Sequence, residues 1–300
     1  MKLLVCGEAL LDVFHAGAAR VGGSPFNVAV GLARLGQPVA FFGGISRGDA
    51  GQRILSALQA EGVDTAAVAL VDAPTTLSIV DSDEHGVPSY AFHGDGCADR
   101  EVTPADLVSV PAGPDILHVG SYAMVVEPVA STLRALVERE RGGGLVAYDP
   151  NVRLRVEPDA QRWRGTVEWM LERADLVKAS EEDLEALWPG EDPLRIASSW
   201  VERGPQLVVV TRGARGAFAC TRRARLSAPS PTTNVVDTVG AGDAFQAALL
   251  HWLATRGKLA ADALAGLEGD ELVSALTFCN RAASVTCSRQ GADLPRIDEL

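Results

Sequence analysis

The chain has 300 residues, 47% hydrophobic and 22% charged, a globular composition with material for one large core or two small ones. Its 39 acidic and 27 basic residues give a net charge of −12, which argues against nucleic acid and anionic membranes as partners and means that any anionic ligand needs a local site. Five scattered cysteines, an odd number with no Cys-x-x-Cys pair, argue against a disulfide framework or a zinc site and read as small core residues. The N-terminal apolar run is too short for a signal segment and no later run approaches a membrane span, so the sequence reads as cytoplasmic.

Leu3-Leu-Val-Cys-Gly7 has the pattern of a buried strand, and Leu10-Leu-Asp-Val-Phe14 follows as a second extended piece. Asp12 among its apolar neighbours is either turned to solvent on an alternating strand or held for a ligand hydroxyl. Gly22-Gly-Ser-Pro-Phe-Asn27 opens a helix, with Ser24 expected as N-cap, Pro25 at the first helical position and Gly36 as the stop. Capping accounts for Ser24 and Pro25 but not for paired glycines followed by Asn27, which suit close approach of a polyol to backbone and amide. Pro38 to Gly43 reads as a strand and Ala50 to Ala60 as a helix. Three short alternating segments, Val68 to Val71, Thr75 to Asp81 and Ser89 to His93, read as antiparallel strands.

From Asp115 the alternation becomes regular, with strands at Ile116 to Gly120, Gly144 to Asp149 and Asp175 to Lys178 and helices from Glu127 to Arg141 and Gln161 to Arg173. This is the rhythm of a parallel sheet covered by helices. Asp149-Pro-Asn-Val-Arg153 follows a strand, where such sheets bind ligands, although Asp-Pro-Asn also suits a plain turn. Ser180-Glu-Glu-Asp183 makes a good helix start. Leu207 to Thr211 is a buried strand that leads into a glycine turn containing Gly213 and Gly216. No Gly-Lys-Ser/Thr is present, so it is no P-loop, and no Gly-x-Gly-x-x-Gly follows the first strand, which sets a dinucleotide-binding protein aside.

The stretch from Asn234 to Leu250 reads as strand, tight loop and buried helix. Gly240 and Gly242 free the backbone to present amide groups, and the helix that follows adds unpaired N–H groups and the positive end of its dipole, a loop suited to an anion. Asp243 in the first turn places a carboxylate beside that pocket, an arrangement suited to taking a proton from a hydroxyl that attacks a phosphoryl group. Asp in a first helical turn is also an ordinary stabilising feature. A further helix from about Glu271 to Val285 carries Asn280.

Asp237-Thr-Val-Gly-Ala-Gly-Asp-Ala-Phe245 resembles the C-terminal signature of the PfkB or ribokinase family of sugar and nucleoside kinases. Gly22-Gly-Ser-Pro-Phe-Asn27, with Ala29 to Gly36, resembles the N-terminal signature of the same family. The resemblance covers nearly the whole chain and implies a ribokinase-like α/β fold, a mostly parallel sheet flanked by helices, as one kinase domain over 1–300 with a small β-strand lid from about 10–20 and 68–100. It implies ATP-dependent phosphorylation of a sugar hydroxyl, with Asp243 as base and the backbone of Gly240, Ala241 and Gly242 as anion hole.

By the same resemblance Asp12, Gly22, Gly23, Asn27 and Arg153 would bind substrate, and Phe92 or His93 could touch it from the lid. Ser180, Thr211, Gly213, Gly216 and Asn280 would line the nucleotide site. Asp237, Val239, Thr286, Arg289 and Gly291 would enclose a monovalent cation such as K⁺, mainly through backbone carbonyls. Where many members carry Asn-x-x-Glu near Mg²⁺ and phosphate, this chain has Ser180-Glu-Glu-Asp183; Asp183 is one methylene shorter than Glu and would reach the metal through water. The Ser-Pro-Phe-Asn and Asp-Pro-Asn stretches are similar to fructokinase-like members, implying fructose as acceptor and fructose 6-phosphate as product. 2-Keto-3-deoxygluconate kinase and a non-catalytic sugar-binding regulator stand as alternatives, and the assembly is open between a lid that closes over its own site and a homodimer paired through the lid edges.

Overall fold

The computed structural model describes residues 2–14, 19–82 and 88–300. In chain order the first strands are β1 (Leu3–Cys6), β2 (Leu10–Phe14) and β3 (Ala19–Gly22), followed by helix α1 (Ser24–Arg34). Next come β4 (Val39–Phe42), β5 (Gly44–Ser46), α2 (Asp49–Ala60), β6 (Ala69–Val71), β7 (Leu77–Ser82) and β8 (Pro88–His93). A regular series then runs β9 (Ile116–Gly120), α3 (Val129–Glu140), β10 (Leu145–Asp149), α4 (Ala160–Leu171) and β11 (Leu176–Ser180). It continues through α5 (Glu181–Leu187), α6 (Pro193–Arg203), β12 (Leu207–Thr211), β13 (Ala217–Cys220) and β14 (Arg225–Ala228), and closes with α7 (Ala241–Thr255), α8 (Ala261–Ala265) and α9 (Gly269–Cys287).

Eight strands form the central sheet in the order β14-β13-β12-β11-β10-β9-β1-β4. From β12 to β4 every pairing is parallel, while β13 and β14 are antiparallel at one edge. The parallel strands are apolar on both faces because both are covered. Leu3 and Val5 join the core layer that includes α1, α2, α7 and α9, whereas Leu4 and Cys6 join the layer that includes α3, α4, α5 and α6. Val209 of β12 belongs to the first layer, and Val208 and Val210 to the second. Alternation by two along each strand thus divides one apolar run between two cores.

A separate four-stranded sheet has the order β3-β2-β7-β8. Here β7 pairs antiparallel with β8 and β2 with β3, but β2 and β7 run parallel. Ala69–Val71, expected to join this group as an antiparallel strand, instead pairs parallel with β5 in a sheet of two. Helix α2 is the reason: it carries the chain from β5 back along the same direction, so β5, α2 and β6 make a βαβ unit.

The expected strand before Gly240 is also absent. Val235 and Val236 are 58% exposed, and the Val236 and Asp237 N–H groups donate to the Cys287 carbonyl at 2.8 and 3.2 Å instead of to a strand. With β14 ending at Ala228, the segment crosses over the end of α9 and finds its backbone partner there. Cys6, Cys97, Cys220 and Cys279 are buried and all five cysteines are free thiols. Among the described residues no helix is long and apolar enough to cross a membrane.

Candidate active site

The parallel strands deliver the side chains singled out above to one end of the sheet. Asp149 closes β10 opposite Gly120 of β9, and Ser180 closes β11 opposite Thr211 of β12. Carboxyl ends of parallel strands are where such sheets bind ligands. The amino end of α7 faces the same region, because the Lys178 ammonium of β11 lies against Gly242: a Cβ built on that glycine would stand 3.3 Å from Nζ.

Helix α7 starts from Gly240, whose left-handed backbone (φ 79°) is open to glycine. A Cβ there would come within 2.6 Å of the Ala292 side chain, so glycine is required by space as well as by conformation. The intrahelical ladder begins with Ala244 N–H donating to the Gly240 carbonyl at 2.8 Å, while Ala241 N–H makes a longer 3.3 Å bond to the Thr238 carbonyl. The N–H groups of Gly242 and Asp243 remain outside the ladder at the positive end of the helix.

Asp243 is buried there and accepts two hydrogen bonds, from Ser24 Oγ to Oδ1 at 2.7 Å and from Asn27 Nδ2 to Oδ2 at 2.8 Å. Ser24 was expected to cap its own helix. Gly23 holds the N-cap position without a side-chain bond, Ser24 is the first helical residue, and its hydroxyl is directed to Asp243 instead. The role of Ser24 was hidden because a serine before a helical run fits a cap equally well.

Asp12, Gly22 and Gly23 come together on the small sheet. Asp12 pairs with Arg20 of β3 and Ser78 of β7, and a Cβ on Gly22 would collide with the Asp12 carboxylate. Burial raises the Asp12 carboxyl above its ordinary value, with the Ser78 hydroxyl and the Arg153 charge pulling the other way. Gly23 has φ 107°, and a Cβ there would meet the Glu8 carbonyl at 2.7 Å. Arg153 is exposed, donates from Nη1 to the Val152 carbonyl at 3.0 Å, and its charge reaches both Asp12 and Glu8. Phe92 is half-buried with its ring edge-on to Tyr122, and His93 is exposed.

The nucleotide candidates divide. Thr211 and Gly213 lie at the end of β12 and in the turn after it, where Gly213 has open space beside it. Gly216 is buried (φ 81°), and a Cβ would collide with the Ala228 carbonyl, so packing alone requires glycine. Asn280 is buried on α9 and uses its amide hydrogens on the carbonyls of Ala228 and Pro229 at 3.0 and 3.2 Å. Ser180 and Asp183 form a capping box for α5, with Ser180 N and Oγ donating to Asp183 Oδ2 at 2.8 and 2.7 Å. The other Asp183 oxygen accepts Val152 N–H at 2.7 Å, tying α5 to the segment that carries Arg153.

Asp237 joins two of the segments assigned to a monovalent cation. Its Oδ1 accepts Val239 N–H at 3.1 Å and its Oδ2 accepts Gly291 N–H at 2.8 Å. Thr286 is buried with its hydroxyl donated to Ala282, and the Arg289 side chain is paired with Glu299 and Asp293. Among the described residues no group of three or more His, Cys, Asp or Glu side chains is placed to hold a metal ion unaided.

Sequence reasoning passed over Lys178 and Glu8, and placed Asp149 at a strand end without giving its carboxylate a partner. Lys178 and Asp149 form an ion pair of 2.6 Å with side chains 4% and 1% exposed. Burial, opposed by Lys178, pushes the Asp149 carboxyl up to about 6. Glu8, just past β1, is pushed up to about 7, chiefly by burial and against the Ser121 hydroxyl bond. A lysine inside an apolar strand was a usable signal, since it demands a buried partner and an Asp ends the preceding strand.

Comparison with known proteins agrees with this geometry. The pattern of the pfkB family carbohydrate kinases matches residues 11–299. A fructokinase from Klebsiella pneumoniae is 36% identical, the alignment covering 100% of this chain and 98% of that protein. Among solved structures, a fructokinase with bound ATP from Xylella fastidiosa superposes with a TM-score of 0.88 at 28% identity, covering 99% of this chain and 96% of that one. A double-mutant fructokinase from Vibrio cholerae O395, with fructose, ADP and potassium ion bound, gives 0.83 at 29% identity over 97% and 93% of the two chains. The ribokinase-like α/β architecture, the two sequence signatures and the match over nearly the full length lead to one assignment: this chain belongs to the pfkB family of carbohydrate kinases.

Proposed function

We propose that this carbohydrate kinase transfers the γ-phosphoryl group of ATP to a primary hydroxyl of fructose, giving fructose 6-phosphate. The observation that carries the reading is the convergence of α1 and α7 on the Asp243 carboxylate, beside the open amide groups of Gly242 and Asp243. A carboxylate that already accepts a serine hydroxyl at 2.7 Å can accept a sugar hydroxyl in the same way and take its proton as the oxygen attacks phosphorus. The backbone around Gly240, Ala241 and Gly242 and the helix dipole steady the charge that develops on the phosphoryl oxygens. Asp12, Gly22, Gly23 and Asn27 supply the polyol contacts, with Arg153 at their edge. The strands β2, β3, β7 and β8 serve as a lid that excludes water as a competing acceptor.

On the nucleotide side, Ser180, Thr211 and Gly213, at two adjacent strand ends and the turn that follows, would meet the base and ribose, while Gly216 and Asn280, both packed against the Ala228 carbonyl, would shape the backing of that wall. Mg²⁺ bound with ATP would neutralise charge on the phosphate oxygens while keeping several waters. Asp183 fits such a role through water, because both its oxygens already hold backbone or Ser180 donors. K⁺ fits the carbonyls near Asp237, Val239 and Gly291. A homodimer is in keeping with the sheet edges at β3 and β8, and a cytoplasmic location with ATP as co-substrate.

The curated fructokinase relatives support fructose; the exposed Arg153 guanidinium favours a second reading, 2-keto-3-deoxygluconate, whose carboxylate it would pair. The test is Asp243→Asn with fructose and MgATP. Turnover should fall by about 10²- to 10⁴-fold, while calorimetry shows MgATP binding retained. Turnover close to wild type would remove Asp243 as the base.

A further inference from the structure

The Lys178–Asp149 pair is not explained by packing. Desolvating two ions usually costs as much as their attraction returns, so an apolar pair of the same volume would hold β10 to β11 at least as well. Nor is the pair closed. Asp149 Oδ1 is buried without a hydrogen-bond partner, and of the three donors on the ammonium the described contacts use one, on Asp149 Oδ2.

The position of the ammonium is more informative than its burial. It lies against Gly242, in the first turn of α7, where the N–H groups stand outside the helical ladder. A Cβ at Gly242 would crowd it at 3.3 Å, so glycine also clears the approach between lysine and loop. Burial alone would lower the affinity of Lys178 for its proton, but Asp149, then Asp183 and Asp243, raise it above its ordinary value, so the nitrogen stays charged. His118, a further buried group under its field, is pushed down to about 3 by burial and then by Lys178, and stays neutral.

Resting on the kinase reading above, we propose that Lys178 is a catalytic cation that binds the transferring phosphoryl group from the side of Gly242, and that Asp149 is the positioning residue that holds it there. The lysine neither gives nor takes a proton. The phosphoryl group passes from the leaving ADP oxygen to the sugar oxygen, the hydroxyl proton goes to Asp243, and Lys178 stabilises the charge on the oxygens in flight. Asp149 also begins the segment that ends at Arg153, so one carboxylate anchors the phosphoryl cation and the start of the sugar-side loop.

The experiment compares Lys178→Met, Asp149→Asn and the double variant in the full chain by thermal melting, MgATP calorimetry and fructose kinetics. Lys178→Met alone should melt lower, because it leaves a buried carboxylate unpaired. The double variant removes both charges and should recover most of the melting temperature while kcat stays down about 10²- to 10³-fold, with KM for fructose little changed. Asp149→Asn should keep measurable turnover, because the cation remains but is no longer held. A merely structural pair predicts that the double variant recovers activity along with stability, and that result would overturn the proposal. If the wild-type chain phosphorylates no sugar, the kinase reading is what fails. MgATP affinity then reads the inference alone: weakening by about tenfold or more in the double variant supports it, and unchanged affinity overturns it.

Discussion

Asp243 owes its orientation to two residues more than 200 positions away, Ser24 and Asn27, which hold one carboxylate oxygen each. Removing the hydroxyl in Ser24→Ala should lower kcat by about tenfold with fold and MgATP affinity intact, since a single hydrogen bond to a charged group is worth about 1.5–3 kcal/mol. Asn27→Ala should raise KM for the sugar as well, because the proposed site uses that amide twice; steady-state kinetics separates the two patterns. Glu8 makes a different prediction. Its carboxyl is raised in the folded chain from 4.5 to about 7, so the folded state holds a proton that the unfolded state has released between those values. Stability on its account is therefore highest below about pH 4.5 and declines as pH rises through 7, by about 3 kcal/mol in total at 1.36 kcal/mol per unit. Glu8→Gln should flatten that decline in melts taken from pH 5 to 8, and an unchanged slope would mean that the carboxyl is ionised throughout.

At the scale of elements, the site depends on how closely α1 approaches α7. Gly31 permits it: a Cβ there would come within 2.5 Å of Leu294 and 2.8 Å of Ala247. Gly31→Val should destabilise the chain by about 1–3 kcal/mol and should reduce turnover further, by drawing Asn27 away from Asp243. Melting and kinetics on the same preparation test both parts, and activity lost only in proportion to unfolded protein would count against this packing account. The packing was only partly legible in the sequence. The helix at 24–34 and its glycine stop were visible, but the burial of every residue from Pro25 to Leu32 was not. A helix enclosed on every side reveals its stripe poorly when alanine and glycine occupy the contacts.

For the whole molecule, the parallel sheet was legible because strands buried on both faces give near-continuous apolar runs separated by helical spacing. The small sheet was legible as strands but not as a topology, since short alternating segments do not specify whether a neighbour is parallel or antiparallel, and β6 left for another partner. The glycine-aspartate loop was readable because its conformation needs particular residues. The Ser24 bond and the Lys178–Asp149 pair were not singled out, because each joins positions far apart in sequence through side chains that have ordinary local explanations. At a net charge of −12 the molecule as a whole disfavours a triphosphate, so such a ligand needs a local cationic site of the kind proposed for Lys178 beside Gly242.

The most direct test of the central claim is ATP consumption by the purified chain with Mg²⁺ and K⁺ present, measured against fructose, 2-keto-3-deoxygluconate, ribose, tagatose and adenosine in parallel. The account predicts the highest kcat/KM for fructose, with fructose 6-phosphate as the product. A folded chain that binds MgATP yet phosphorylates none of these acceptors, or that prefers adenosine, would contradict it.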